Sequence, residues 1–216
     1  MGFADLLLPP ACAGCGRYGT LLCSACQRIM RPAGSPADRF LGSDSGTVIG
    51  EHLVLAMAAL EYEGALRRAM QRLKYGGAAR LAGPLAIAAL PVLARLLQVS
   101  GPAPLVPVPL HPHRLRARGY NQAQLLASAL AHGAGLRSLD LLVRTHATER
   151  QHRLSRVARL HNLRDAFSMA AEARPPPVVI VVDDILTTSA TLEACAGVLR
   201  SAGVDRVYGF AIAREV

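Results

Sequence analysis

Three groups of residues in this chain have the types and spacing to do chemistry. The first is the run Asp183, Asp184, Ile185, Leu186, Thr187, Thr188, Ser189, Ala190, Thr191. Two adjacent carboxylates suit the hydroxyls of a sugar, directly or through a Mg²⁺ ion with its waters. Hydroxyls and backbone N–H groups at a helix start suit a phosphate, because that end carries partial positive charge and unpaired donors. A plainer reading stays open: Asp184 and the threonines end a strand and cap a helix. The second group is Cys12, Cys15, Cys23 and Cys26, two CxxC pairs. Pairs at this spacing match the two knuckles of a zinc ribbon, in which four thiolates close a tetrahedral Zn²⁺ site. Disulfides or a redox CxxC are the competing readings. The third group is basic and comprises Lys74, His111, Arg114, Arg116 and Arg118. Lys74 is the only lysine beside 23 arginines. A compact ammonium suits phosphate as a point binder, a geometry arginine does not share, while an accident of codon bias is the other reading of a single lysine.

These groups need elements to position them. Val178 to Val182 are five β-branched residues in a row, apolar on both sides, which predicts a central strand of a covered parallel sheet. Asp183 and Asp184 would stand at its carboxyl end, where ligands of open α/β sheets collect. Leu192, Ala196 and Leu199 recur at helical spacing up to Gly203, so the Thr-rich turn opens a helix. Upstream, Leu53 to Tyr62 reads as a strand and Ala65 to Leu73 as a short helix broken by Lys74-Tyr-Gly-Gly77. Leu81 to Leu97 reads as a long apolar helix on the sheet. A short strand at Leu105 feeds a Pro-rich loop carrying Arg114, Arg116 and Arg118, and Asn121 to Leu130 starts another helix. Val204 to Ala213 supplies a last strand. Pro32 to Gly50 is rich in Gly, Pro, Ser and Asp and reads as a linker, and Cys195 as a small core residue.

Composition bounds the rest. At 216 residues and 51% hydrophobic content the chain can bury one good core with a small appendage. No apolar run of membrane-spanning length and no signal-peptide order is apparent, so a cytoplasmic protein without membrane insertion is expected. Gly64 to Arg164 holds 16 basic and two acidic residues, a net +14, and the remainder carries −5 to make the total of +9. Positive charge so concentrated fits a polyanion, either pyrophosphate or a nucleic-acid backbone. With 4% aromatics, stacking platforms are sparse: Tyr75, Tyr120 and Phe167.

Strand, Asp-Asp, two aliphatics, Thr-Thr, small-x-Thr resembles the phosphoribosyl pyrophosphate (PRPP) motif of type I phosphoribosyltransferases. Lys74-Tyr-Gly-Gly77 resembles the Lys-Tyr-x-Gly signature of the competence protein F (ComF) family, and the likeness extends over nearly the whole chain. The resemblance implies a type I phosphoribosyltransferase-like α/β fold, Rossmann-like with flanking helices, preceded by a zinc ribbon. The implied domains are a ribbon at 1–31, a linker at 32–50 and the α/β domain at 51–216. It implies displacement of pyrophosphate from PRPP with Mg²⁺. Asp183 and Asp184 would hold ribose and metal, and Thr187, Thr188, Ser189, Ala190 and Thr191 the 5-phosphate. Lys74, His111, Arg114, Arg116 and Arg118 would attract pyrophosphate. The segment 141–167 would be the mobile flap, an exposed amphipathic helix being the other reading of its composition. Ser189 departs from the family's usual glycine, and no residue stands out as the base for an acceptor. The resemblance also implies handling of DNA during natural transformation. A non-catalytic protein that binds single-stranded DNA beside the DNA-uptake machinery, with a relic or sensory PRPP site, is therefore the alternative.

Overall fold

The computed structural model describes residues 9–34, 47–48, 50–145 and 166–215. Its centre is a five-stranded sheet in the order β1-β2-β7-β6-β3. The strands are β1 (Thr47–Val48), β2 (Leu53–Glu61), β3 (Leu105–Pro107), β6 (Val178–Leu186) and β7 (Arg206–Arg214). β2, β7, β6 and β3 run parallel, and β1 is antiparallel to β2 at one edge. β1 lies within the range expected to be linker, most of which falls outside the described residues. Pro107 is tolerated because β3 forms the opposite edge, where a missing N–H breaks no ladder.

β6 is apolar on both sides because both sides are covered. Ile180 and Val182 pack into one buried cluster with α2 (Gly64–Tyr75), α3 (Ala82–Ser100) and α5 (Gln122–Ala134). Val179 and Val181 pack into a second with α6 (Ala190–Ser201) and the hairpin of β4 (Leu142–Arg144) with β5 (Phe167–Met169). The expected helices and strands are thus present, with two differences. β6 continues to Leu186, so Asp183 and Asp184 are paired within the strand and do not follow it. Arg114, Arg116 and Arg118 lie on a helix, α4 (Pro112–Arg118), and not on a loop. Its boundaries have local causes: Pro112 opens it, the His111 side chain caps it, and Gly119 ends it in a left-handed conformation.

The cysteine segment is not a separate body. Cys12, Ala13, Leu22, Cys23 and Cys26 belong to the same buried cluster as α2 and α3. Cys26 lies on α1 (Ser24–Arg28), for which Cys23 is the N-cap. Among the described residues one helical stretch, Ala79–Ser100, is long and apolar enough to cross a membrane. That length was not evident from the sequence; its Leu85, Ala89, Leu93 and Leu96 are core residues.

Candidate functional site

Parallel strands bring their carboxyl ends to one edge, so the residues after β3 and at the end of β6 meet there. Asp184 is 5% exposed, and its Oδ2 lies 2.8 Å from Lys74 Nζ. That buried oxygen has the ion pair with Lys74 and no hydrogen-bond donor among the described residues, so it keeps acceptor capacity. Lys74 is therefore brought to the acidic pair itself. Asp183 Oδ1 accepts the backbone N–H of Asp184 at 2.7 Å. Burial, and then the Asp184 carboxylate beside it, push Asp183 up to about 7, against the partial relief of that N–H and of Lys74.

The phosphate-type turn follows directly. Thr187 and Thr188 are exposed, Ser189 and Thr191 half-buried, and Ala190 begins α6. Ser189 has φ 57° and ψ −5°, a left-handed conformation that favours glycine, and its Oγ donates to the Thr188 carbonyl at 2.6 Å. The geometry of the turn is thus the one a glycine would serve, held here by a serine.

The basic residues divide. His111 Nδ1 accepts the His113 N–H at 3.2 Å, so this imidazole is committed to capping α4. Desolvation, and then the charges of Arg144, His113, Arg114 and Arg116, push its pKa down. The Arg118 guanidinium hydrogen-bonds Gln122 and lies 5.3 Å from the centroid of the Tyr75 ring. Arg114 and Arg116 are exposed on α4. Arg144, read from sequence only as part of a flap, belongs with them. It stands over the Phe167 ring at 5.2 Å and feels the charges of Arg114 and Asp183, with burial pushing its pKa down. It thus stands within electrostatic reach of both the basic helix and the acidic pair. Its only sequence signal was a lone arginine in a short apolar strand. The rest of the expected flap, 146–165, lies outside the described residues.

Two further features were not legible beforehand. A cleft of about 920 Å³ runs along α6 and meets the candidate site only at Thr188, Ser189 and Ala190. On its wall the Glu193 carboxylate accepts the backbone N–H groups of His52 (2.5 Å) and Leu53 (3.4 Å), fastening the start of β2 to α6. A Cβ at Gly50 would displace the Glu193 carboxylate from this position.

The four N-terminal thiols fit a metal. One sulfur from each of Cys12, Cys15, Cys23 and Cys26 lies within 4.8 Å of the others, and none is in a disulfide. Burial raises the Cys12 thiol, but N–H donors of Cys23, Cys15 and Gly14 outweigh it and hold the pKa at about 6. Burial and the surrounding sulfurs push Cys26 up to about 12. Four sulfurs gathered so closely are a soft donor set suited to Zn²⁺.

No family model matches the chain. Competence protein F of Haemophilus influenzae is 34% identical over 123 residues, 56% of this chain. The chain thus spans about half, 54%, of that relative's length. DNA utilization protein YhgH of Salmonella typhi is 30% identical over 209 residues, 95% of this chain and 90% of that protein. The chain belongs to the ComF family. Its fold is a parallel sheet with flanking helices, with four clustered cysteines near the N-terminal end of the described residues. A solved structure of the allosteric regulatory enzyme of purine biosynthesis aligns with 67% of this chain and 30% of its own, at 17% identity and a TM-score of 0.41.

Proposed function

We propose that this ComF-family chain binds PRPP, or another phosphorylated ribose, together with Mg²⁺ at the carboxyl edge of its sheet, and acts in the handling of DNA during natural transformation. The observation that carries the reading is the backbone of Ser189, a non-glycine residue held at φ 57° at the mouth of α6. Strain of that kind persists only where its surroundings over-determine it, and it concentrates at ligand-binding turns. The turn Thr187–Thr191 would take the 5-phosphate with its amides and hydroxyls. Asp183 and Asp184 would hold the ribose hydroxyls and Mg²⁺, for which the buried Asp184 Oδ2 offers acceptor capacity. When bound, Mg²⁺ neutralises charge on a pyrophosphate leaving group. Arg114, Arg116 and Arg144 would draw the pyrophosphate to the same edge, with Lys74 set to shift between Asp184 and the ligand.

The deciding experiment is calorimetric titration of PRPP into zinc-loaded protein with and without Mg²⁺, beside the Asp183→Asn, Asp184→Asn double variant. Binding that needs Mg²⁺ and is lost in the variant supports the reading. Absence of binding by both PRPP and ribose 5-phosphate sinks it.

A second reading, binding of single-stranded DNA, is favoured by a groove of about 670 Å³ between the cysteine loop and α2, lined by Arg68, Gln71, Arg72 and Tyr75. Tyr75 is 69% exposed there, as a stacking surface requires. DNA binding that falls steeply with salt, and that becomes both weaker and less salt-dependent when Arg114, Arg116 and Arg118 are changed together, would support it.

A further inference from the structure

The cysteine cluster and the acidic pair are joined by one helix. At the first half of α2 the cysteine loop is in van der Waals contact: a Cβ on Gly14 would meet Ala65 Cβ at 3.0 Å and Cys26 Sγ at 2.6 Å. Arg68 Nε donates to the Gly14 carbonyl at 2.7 Å, tying the second turn of the helix to the loop between Cys12 and Cys15. At the other end, the last turn carries Lys74 to Asp184 at 2.8 Å, and Tyr120 Oη donates to the Leu73 carbonyl at 2.6 Å. Between the two ends Leu66, Ala69, Met70 and Leu73 are buried in the same cluster as Cys12, Cys23 and Cys26 and as Ile180 and Val182 of β6. α2 has 12 residues, a rod of about 18 Å at 1.5 Å per residue. Close-packed interiors pass on a displacement because they have no free volume in which to absorb it.

We propose that the cysteine metal site positions Lys74: gathering of the four thiolates on a metal holds the loop against Arg68, and α2 then presents Lys74 to Asp184. Loss of the metal loosens the Gly14 contact and releases the ammonium. The chain thereby has two sites at opposite ends of one helix whose occupancies are coupled, and coupling of this kind is reciprocal. The consequence for ligand affinity rests on the phosphoribose reading above. The release of Lys74 does not.

That independence sets the test. Lys74 is the only lysine, so its acylation by a limiting amine reagent is read by peptide mass spectrometry without interference from other side chains. In full-length zinc-loaded protein the rate should be low, and it should rise by about fivefold, the ratio that corresponds to ~1 kcal/mol, when zinc is removed by chelation. Arg68→Gln with zinc still bound should raise it in the same direction, and Asp184→Asn sets the upper limit. A rate unchanged after measured zinc release, in protein that keeps its far-ultraviolet circular dichroism, overturns the proposal. Should chelation unfold the whole chain, zinc-loaded Arg68→Gln decides: a wild-type rate in that variant overturns it equally. Failure of PRPP binding would leave these rates untouched, so the two readings fail separately.

Discussion

Replacing Lys74 by Met keeps the buried stem of the side chain and deletes the charge that faces Asp184. Two unit charges 2.8 Å apart attract by about 6 kcal/mol at an effective dielectric of 20. Much of that offsets the desolvation of both groups, whose side chains are 18% and 7% exposed. Deleting one partner of a buried pair costs roughly 3–5 kcal/mol because the other charge stays behind. Lys74 retains some water, so about 3 kcal/mol is expected here, and on the order of 6–12 °C in melting temperature for a chain of this size. Asp184→Asn should cost less, about 1–2 kcal/mol, since the freed ammonium can turn outward. The double variant should return to within ~1 kcal/mol of wild type, a coupling energy of about 3 kcal/mol or more. Urea unfolding of zinc-saturated protein at neutral pH gives all four corners of the cycle. Simple additivity, or a Lys74→Met loss under ~1 kcal/mol, would refute the claim that this contact neutralises a buried carboxylate.

Ser189→Gly should be neutral or stabilising by up to about 1 kcal/mol, since relief of the left-handed conformation opposes the greater chain entropy of glycine. Ser189→Val should lose about 2 kcal/mol; equal melting temperatures for Gly and Val would show that the turn is not held left-handed. Asp183 is protonated more readily in the fold, at about 7, than in the unfolded chain at 3.8. The folded state therefore binds more protons across that window, and stability should fall as pH rises through it, by at most ~1.4 kcal/mol per pH unit. Asp183→Asn should flatten that slope in urea midpoints measured from pH 4.5 to 7.5, and an unchanged slope would assign it to other groups. Gly14→Ala places a Cβ 2.6 Å from Cys26 Sγ, so zinc affinity in chelator competition should drop by roughly tenfold or more, as overpacking costs about 1–3 kcal/mol.

Local pattern alone determined a large part of this protein. Five β-branched residues at 178–182 can be satisfied only by burial on both faces, and they form an interior strand between β7 and β3. The helical spacing of Leu66, Met70 and Leu73, and of Leu192, Ala196 and Leu199, placed α2 and α6 because a buried stripe must recur at 3.6 residues. The two CxxC pairs were legible for the same kind of reason, since four sulfurs separated by so few residues have few ways to meet. Pro112 and Gly119 also carried the limits of α4, although alternating arginines read more readily as a loop than as one exposed helix.

What the sequence could not contain was the choice of partner. The lone lysine was legible as unusual, but its contact with Asp184 spans 110 residues and depends on how α2 crosses the edge of the sheet. Arg144 comes within electrostatic reach of Arg114 and Asp183 because the β4–β5 hairpin shares a buried cluster with α6 and β6. The cysteine segment reads in isolation as an appendage with no core, whereas packing gives it the core of α2 and α3. Hydrophobic periodicity specifies which face of an element is buried, since that depends on neighbours along the chain. It does not specify which charged side chains meet at the ends of those elements, because that is decided by the relative placement of whole elements once their faces are buried.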